Sequence, residues 1–203
     1  MAIFRPEGGN SSGINFYGIC EIAILGFVDK SSEFKWADIY IEVEIQQKGS
    51  DYTKNIRIAG DLEKSDGKIT GGSVLKRMYN FFDIIGEKAG LTVEGMWEDE
   101  DGNDIKDIAA HLNQRHVGAV MPDTDPDFNY LAYVYKEKPK EKGGKVYSRV
   151  FHRVQENGDI GRKKLESDVK WFKDKGFLKE ASEADVSMPK QNVEMSSEGI
   201  GNL

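Results

Sequence analysis

Apolar and polar residues alternate along this chain with a period that shifts from segment to segment, and those shifts mark its elements. Residues 17–28 are apolar on both parities, as in a strand buried on both faces or coiled tightly in a barrel. Gly18 and Gly26 fall where close approach or sharp coiling favours glycine. Over residues 37–48, Ile39, Ile41, Val43 and Ile45 alternate with Tyr40, Glu42, Glu44 and Gln46, the pattern of a half-buried strand. Lys48, Gly49, Ser50 and Asp51 read as a turn into a third strand, residues 52–59, the hairpin partner of the second. The period then lengthens. Over residues 73–88, Val74, Leu75, Met78, Phe82 and Ile85 recur at helical spacing, with Ser73 as the expected N-cap and Gly90 as the stop. Residues 92–130 carry little periodicity beyond a short helix expected over 105–114 and a turn-rich run at 121–127. Two strands follow, at 130–136 and 145–154, joined by a basic loop, and a helix over 163–175 carries Trp171 and Phe172.

Three strands, a helix, an insert and two strands predict a mainly β fold with α. The expectation is a five-stranded barrel of the oligonucleotide-binding (OB) type, its helix between strands three and four, with an added C-terminal helix. Residues 1–13, rich in Gly and Ser, read as a flexible arm, residues 14–179 as the barrel domain with an insert at about 92–130, and residues 180–203 as a disordered tail.

Composition narrows the function. No apolar run reaches the ~18 residues a membrane helix needs, so no membrane partner is expected. The N-terminus lacks a secretory pattern, and Cys20 is the single cysteine, which points to the cytoplasm (of a host cell, if the protein is viral) and excludes an intrachain disulfide. The net charge of −7 argues at first against nucleic acid. Its distribution answers that objection. Acids dominate residues 87–107, whereas Lys136, Lys138, Lys140, Lys142, Lys145, Arg149, Arg153, Arg162, Lys163 and Lys164 crowd the C-terminal part. Phosphates respond to the local field rather than to the formal sum.

The sharpest candidate surface is the last strand. Tyr147, Arg149, Phe151 and Arg153 share one parity, while Val146, Val150 and Val154 share the other. One face thus offers valines to a core, and the other alternates rings with guanidinium groups. Unpaired bases present flat π-faces linked by anionic phosphates, so such a face suits single-stranded nucleic acid. In the competing reading, the two rings pack beneath a neighbouring element and both arginines bridge surface acids. A second candidate surface is the hairpin of strands two and three, with Trp36, Tyr40, Tyr52, Lys54 and Arg57, because OB folds present those strands to their ligand. Lys138, Lys140, Lys142 and Lys145 of the basic loop complete the expected interface.

Three segments resemble phage-encoded OB-fold single-stranded-DNA-binding proteins. They are Asn15-Phe16-Tyr17-Gly18, the helix opening Ile69-Thr70-Gly71-Gly72-Ser73-Val74-Leu75-Lys76-Arg77, and Gly144-Lys145-Val146-Tyr147-Ser148-Arg149-Val150, a likeness spanning roughly residues 14 to 155. The resemblance implies a DNA replication and recombination accessory that coats unwound strands, often with an acidic C-terminal tail that recruits replication or recombination enzymes. Here the tail acids Glu180, Glu183, Asp185, Glu194 and Glu198 are dispersed, which weakens that part of the implication.

Other chemistry finds little footing. His111, His116 and His152 are the only histidines, and with Cys20 isolated no zinc spacing exists. Aligning residues 97–108 as a calcium loop on Gly102 puts Trp97 and Ile108 at the two end ligand positions, where neither supplies a side-chain oxygen. Gly71-Gly72-Ser73 lacks a Walker lysine. The expectation is therefore binding of single-stranded DNA without sequence preference, with no catalysis, metal or cofactor. The alternative is a β-barrel module of a virion that uses the same strands for protein contacts, and self-association stays open under either.

Overall fold

The computed structural model describes residues 16–51, 53–117, 126–141 and 144–182. The fold is mixed α/β, built on a five-stranded antiparallel sheet with three helices. In chain order the elements are β1 (Gly18–Asp29), β2 (Ile39–Gln47), β3 (Thr53–Gly60), β4 (Glu63–Ser65), β5 (Lys68–Gly71), α1 (Ser73–Ile85), β6 (Gly90–Leu91), β7 (Trp97–Glu98), β8 (Asp104–Ile105), α2 (Ile108–His116), β9 (Tyr130–Glu137), β10 (Tyr147–Glu156) and α3 (Asp159–Asp174). The large sheet runs β10-β9-β1-β2-β3.

Strand β1 explains that order. Its first half pairs with β9, from Gly18 opposite Val134 to Ile22 opposite Tyr130, and its second half pairs with β2. A bulge between Ile24 and Gly26 bends the strand where it passes from one partner toward the other. The bend brings the two ends of the sheet together. Lys54 Nζ on β3 donates to Ser148 Oγ on β10 at 3.1 Å. Among the described residues no backbone ladder joins β3 to β10, so the closed barrel expected from the sequence is not made by hydrogen bonding.

Two cores flank this sheet. The larger joins Ile22, Ile41, Val43, Ile45, Ile56 and Ile58 to Val74, Met78, Phe81 and Phe82 of α1 and to Ile108 and Leu112 of α2. The smaller lies under α3, where Leu165 and Val169 cover Leu131 and Phe151. Gly161 permits that docking, since a Cβ there would overlap the Glu156 carbonyl oxygen at the end of β10. Asn113 of α2 seals the last part of β1, its side chain exchanging two 2.8 Å hydrogen bonds with the Phe27 backbone.

Several boundaries differ from the sequence reading for physical reasons. Helix α1 is preceded by Gly72 without a side-chain cap, and it stops at Gly86, whose φ of 76° is the left-handed cap conformation glycine favours. Helix α2 starts at Ile108 because the Asp107 side chain accepts from the Ala110 amide. The part of the chain just before α2 holds strands that the sequence reading did not expect. Strands β6, β7 and β8 form a small three-stranded sheet, its β7–β8 turn held by Asp99 accepting from the amides of Asp101 and Asn103. Residue 180, assigned to the tail, instead bridges Glu137, with Ala181 N–H donating to the Lys136 carbonyl at 2.8 Å. The arm at 1–13, the turn at 121–125 and the rest of the tail lie outside the described residues. No helix among the described residues is long and apolar enough to cross a membrane.

Candidate nucleic-acid interface

Where β3 and β10 approach without pairing, an open groove of about 530 Å³ forms. Thr53, Lys54, Asn55 and Arg57 of β3 make one wall, and Ser148, Arg149, Phe151 and His152 of β10 the other, with Tyr135 from β9. Ile56 and Ile58, on the opposite parity, anchor β3 in the core and thereby turn Asn55 and Arg57 outward.

Each cation in the groove is held by a neighbour. Burial lowers the pKa of Lys54, which donates to Ser148. Arg57 Nε lies 3.2 Å from Glu42 Oε1, and Glu42 also takes Lys30 Nζ at 2.7 Å and the Asn55 side-chain amide at 3.2 Å. Burial raises the Glu42 pKa, but the bond from Lys30 and the charges of Lys30 and Arg57 outweigh it and leave the net shift downward. Arg149 Nε meets Glu137 Oε2 at 2.8 Å. Both of those side chains remain about two-fifths exposed (41% and 42%), so this pair sits in water.

The structure divides the expected site residues. Tyr147 is half exposed, with Lys145 Nζ at 5.4 Å and the Arg149 guanidinium at 5.7 Å over its ring. Trp36 is 57% exposed at the end of the β1–β2 loop. Lys138, Lys140 and Lys145 border a cleft of about 280 Å³ beside the β9–β10 loop, which Tyr147 and Arg149 also line. Tyr52 and Lys142 lie outside the described residues.

Three expectations need correction. Phe151 is 4% exposed, because α3 lays Leu165 and Val169 over it and Phe172 meets it edge-on at 5.0 Å. Tyr40 is also buried, stacked on Phe34 at 4.4 Å with its hydroxyl 3.4 Å from Glu42. Arg153 is tied down by Asp168 at 2.7 Å while lying over the Phe172 ring. These three hold protein to protein in this arrangement.

No family model, curated protein or solved structure matches the chain. Its function must be argued from its own geometry.

That geometry adds residues the sequence did not single out. Tyr135, Ser148 and His152 line the groove, and nothing in their spacing distinguishes them from other strand positions. Burial and the nearby charges of Arg77 and Arg153 push the His152 pKa down to about 4, so its imidazole is neutral at physiological pH. No group of three or more His, Cys, Asp or Glu side chains among the described residues is placed to hold a metal ion.

Proposed function

We propose that this chain binds single-stranded DNA without sequence preference, as an OB-type module serving phage-type replication or recombination, and leaves the strand chemically unchanged. The observation that carries this reading is the open groove between β3 and β10, walled by Lys54, Arg57 and Arg149 and bordered by exposed Tyr147. The sheet order β10-β9-β1-β2-β3, with α1 entering between β3 and β9, supports the OB reading, since it gives five antiparallel strands whose two end strands approach each other without pairing.

In the proposed mode the backbone follows the groove and exchanges partners with its cations. A solvent-exposed ion pair contributes about 0–1 kcal/mol, so a phosphate displaces Glu137 from Arg149 at little cost. Lys138, Lys140 and Lys145 extend the positive field past the groove's end, and Tyr147 and Trp36 offer π-faces on which bases stack in any sequence. Partner enzymes, if recruited through the tail, would meet residues outside those described.

Fluorescence anisotropy tests the reading, with labelled oligo(dT) and a duplex of equal length. The expectation is tighter binding of the single strand, with affinity falling on a log–log salt plot by about 0.7 per phosphate neutralised. Absence of binding to oligo(dT) at low salt would remove the reading and favour the virion-module alternative.

A further inference from the structure

Three clefts are strung along one strand edge. β10 pairs with β9 on one side only, and along its other side the β9–β10 loop cleft shares Arg149 with the main groove. The main groove in turn shares His152 with a third cleft of about 250 Å³, between β10, α1 and α3. The third cleft lies where β3 gives way to α1, as Arg77 Nη2 donates to the Ala59 carbonyl at 2.6 Å near the end of β3.

We infer that a bound single strand does not end at the β3–β10 groove but continues past His152 into the α1–α3 cleft, where Arg77 and Lys164 receive its phosphates. This rests on the binding reading above. Cations Arg77, Arg153 and Lys164 line the cleft against Asp83 and Asp168, and Asp168 is already taken by Arg153. Arg77 lines this cleft, and its buried Nε has no acceptor among the described residues, a donor left unmet within the protein. Burial is the main cause of the low pKa of His152, and the charges of Arg77 and Arg153 at the cleft lower it further. His152, which lines both clefts, marks the point where they meet.

Lys164 is exposed on α3, which makes Lys164→Glu a variant expected to fold normally. Oligo(dT) of about 6 and about 16 nucleotides, spanning the range of site sizes for one OB fold, separates the near part of the path from the whole. The wild type is titrated with both, then Lys164→Glu and Arg77→Gln. The expected result is a loss of about fivefold for the long oligonucleotide in Lys164→Glu, with a salt slope flatter by about 0.7 to 1 and little change for the short one. Arg77→Gln should follow the same pattern, with urea unfolding separating any loss of stability from a loss of binding. Wild-type affinity of Lys164→Glu for the long oligonucleotide, or equal losses on both lengths, would overturn the extended path while leaving the groove reading intact. A wild type that binds neither length overturns the groove reading itself.

Discussion

Glu87 is a carboxylate whose contribution to stability should be visible as a function of pH. It follows the Gly86 cap of α1 and is only 3% exposed. One carboxylate oxygen accepts from the amides of Lys88 and Ala89 at 2.7 Å each. The other meets His116 Nε2 at 2.7 Å and Arg115 Nε at 3.2 Å, with His111 Nε2 at 3.5 Å. Helix α2 is thus tied to the end of α1 through one buried charge. Burial by itself raises a carboxyl pKa, but the His116 bond, the amides of Ala89 and Lys88 and the charge of His111 outweigh it and lower Glu87 from 4.5 to about 2. Because the folded value lies below the unfolded one, the stabilisation is complete above the unfolded pKa and is lost as pH falls from 4.5 toward 2. At 1.36 kcal/mol per pKa unit the shift corresponds to roughly 3 kcal/mol at neutral pH, of which about 1 to 1.5 kcal/mol is gone by about pH 3.5. Glu87→Gln keeps the shape and removes the charge. Urea unfolding of both proteins, followed by circular dichroism across this range, should show a difference of roughly 3 kcal/mol at neutral pH that narrows with acid. A difference that stays constant with pH, or is absent at neutral pH, would refute the assignment of Glu87 as the charge that holds α2.

Other substitutions separate packing from binding. Phe151→Ala opens a cavity beneath α3 and should cost about 3–5 kcal/mol in urea unfolding, a loss of stability rather than of a base contact. Trp36→Ala and Tyr147→Ala, both at exposed rings, should each weaken oligo(dT) binding by roughly 1–3 kcal/mol in anisotropy titrations while leaving the urea midpoint near wild type. Glu137→Gln releases Arg149 from its exposed partner and should raise affinity for oligo(dT) up to about fivefold at low salt, with the gain shrinking as salt is added.

The long strands and α1 were legible in the chain because their periodicities are strict: Ile39 to Ile45 every second residue, Val74 to Ile85 at helical spacing. The succession of three strands, a helix and two further strands was legible in the same way, whereas the order of those strands in the sheet, β10-β9-β1-β2-β3, is set by tertiary pairing. What failed was the assignment of an outward-facing strand parity to solvent. Phe151 does face away from the larger core, but α3 carries its own apolar stripe of Leu165, Val169 and Phe172, which must be covered, and the outer face of β9 and β10 covers it. A strand's alternation shows that two faces differ, not which helix lies on either. Arg153 failed for the same reason, since its acid partner, Asp168, lies on that helix. Tyr40 was misread because the nearby rings of Phe34 and Trp36 enclose it, and loop packing of that kind leaves no period to read. The small β6–β8 sheet escaped notice because its strands are two residues long, too short for any alternation to register.

Ultraviolet cross-linking of oligo(dT) to the intact protein, with the adducts mapped by peptide mass spectrometry, asks most directly where a bound strand lies. The account predicts adducts on Tyr135, which lines the β3–β10 groove, on Tyr147 beside it, and on exposed Trp36 in the β1–β2 loop. Adducts confined to the β6–β8 sheet and α2, or none under conditions where oligo(dT) is bound, would contradict it.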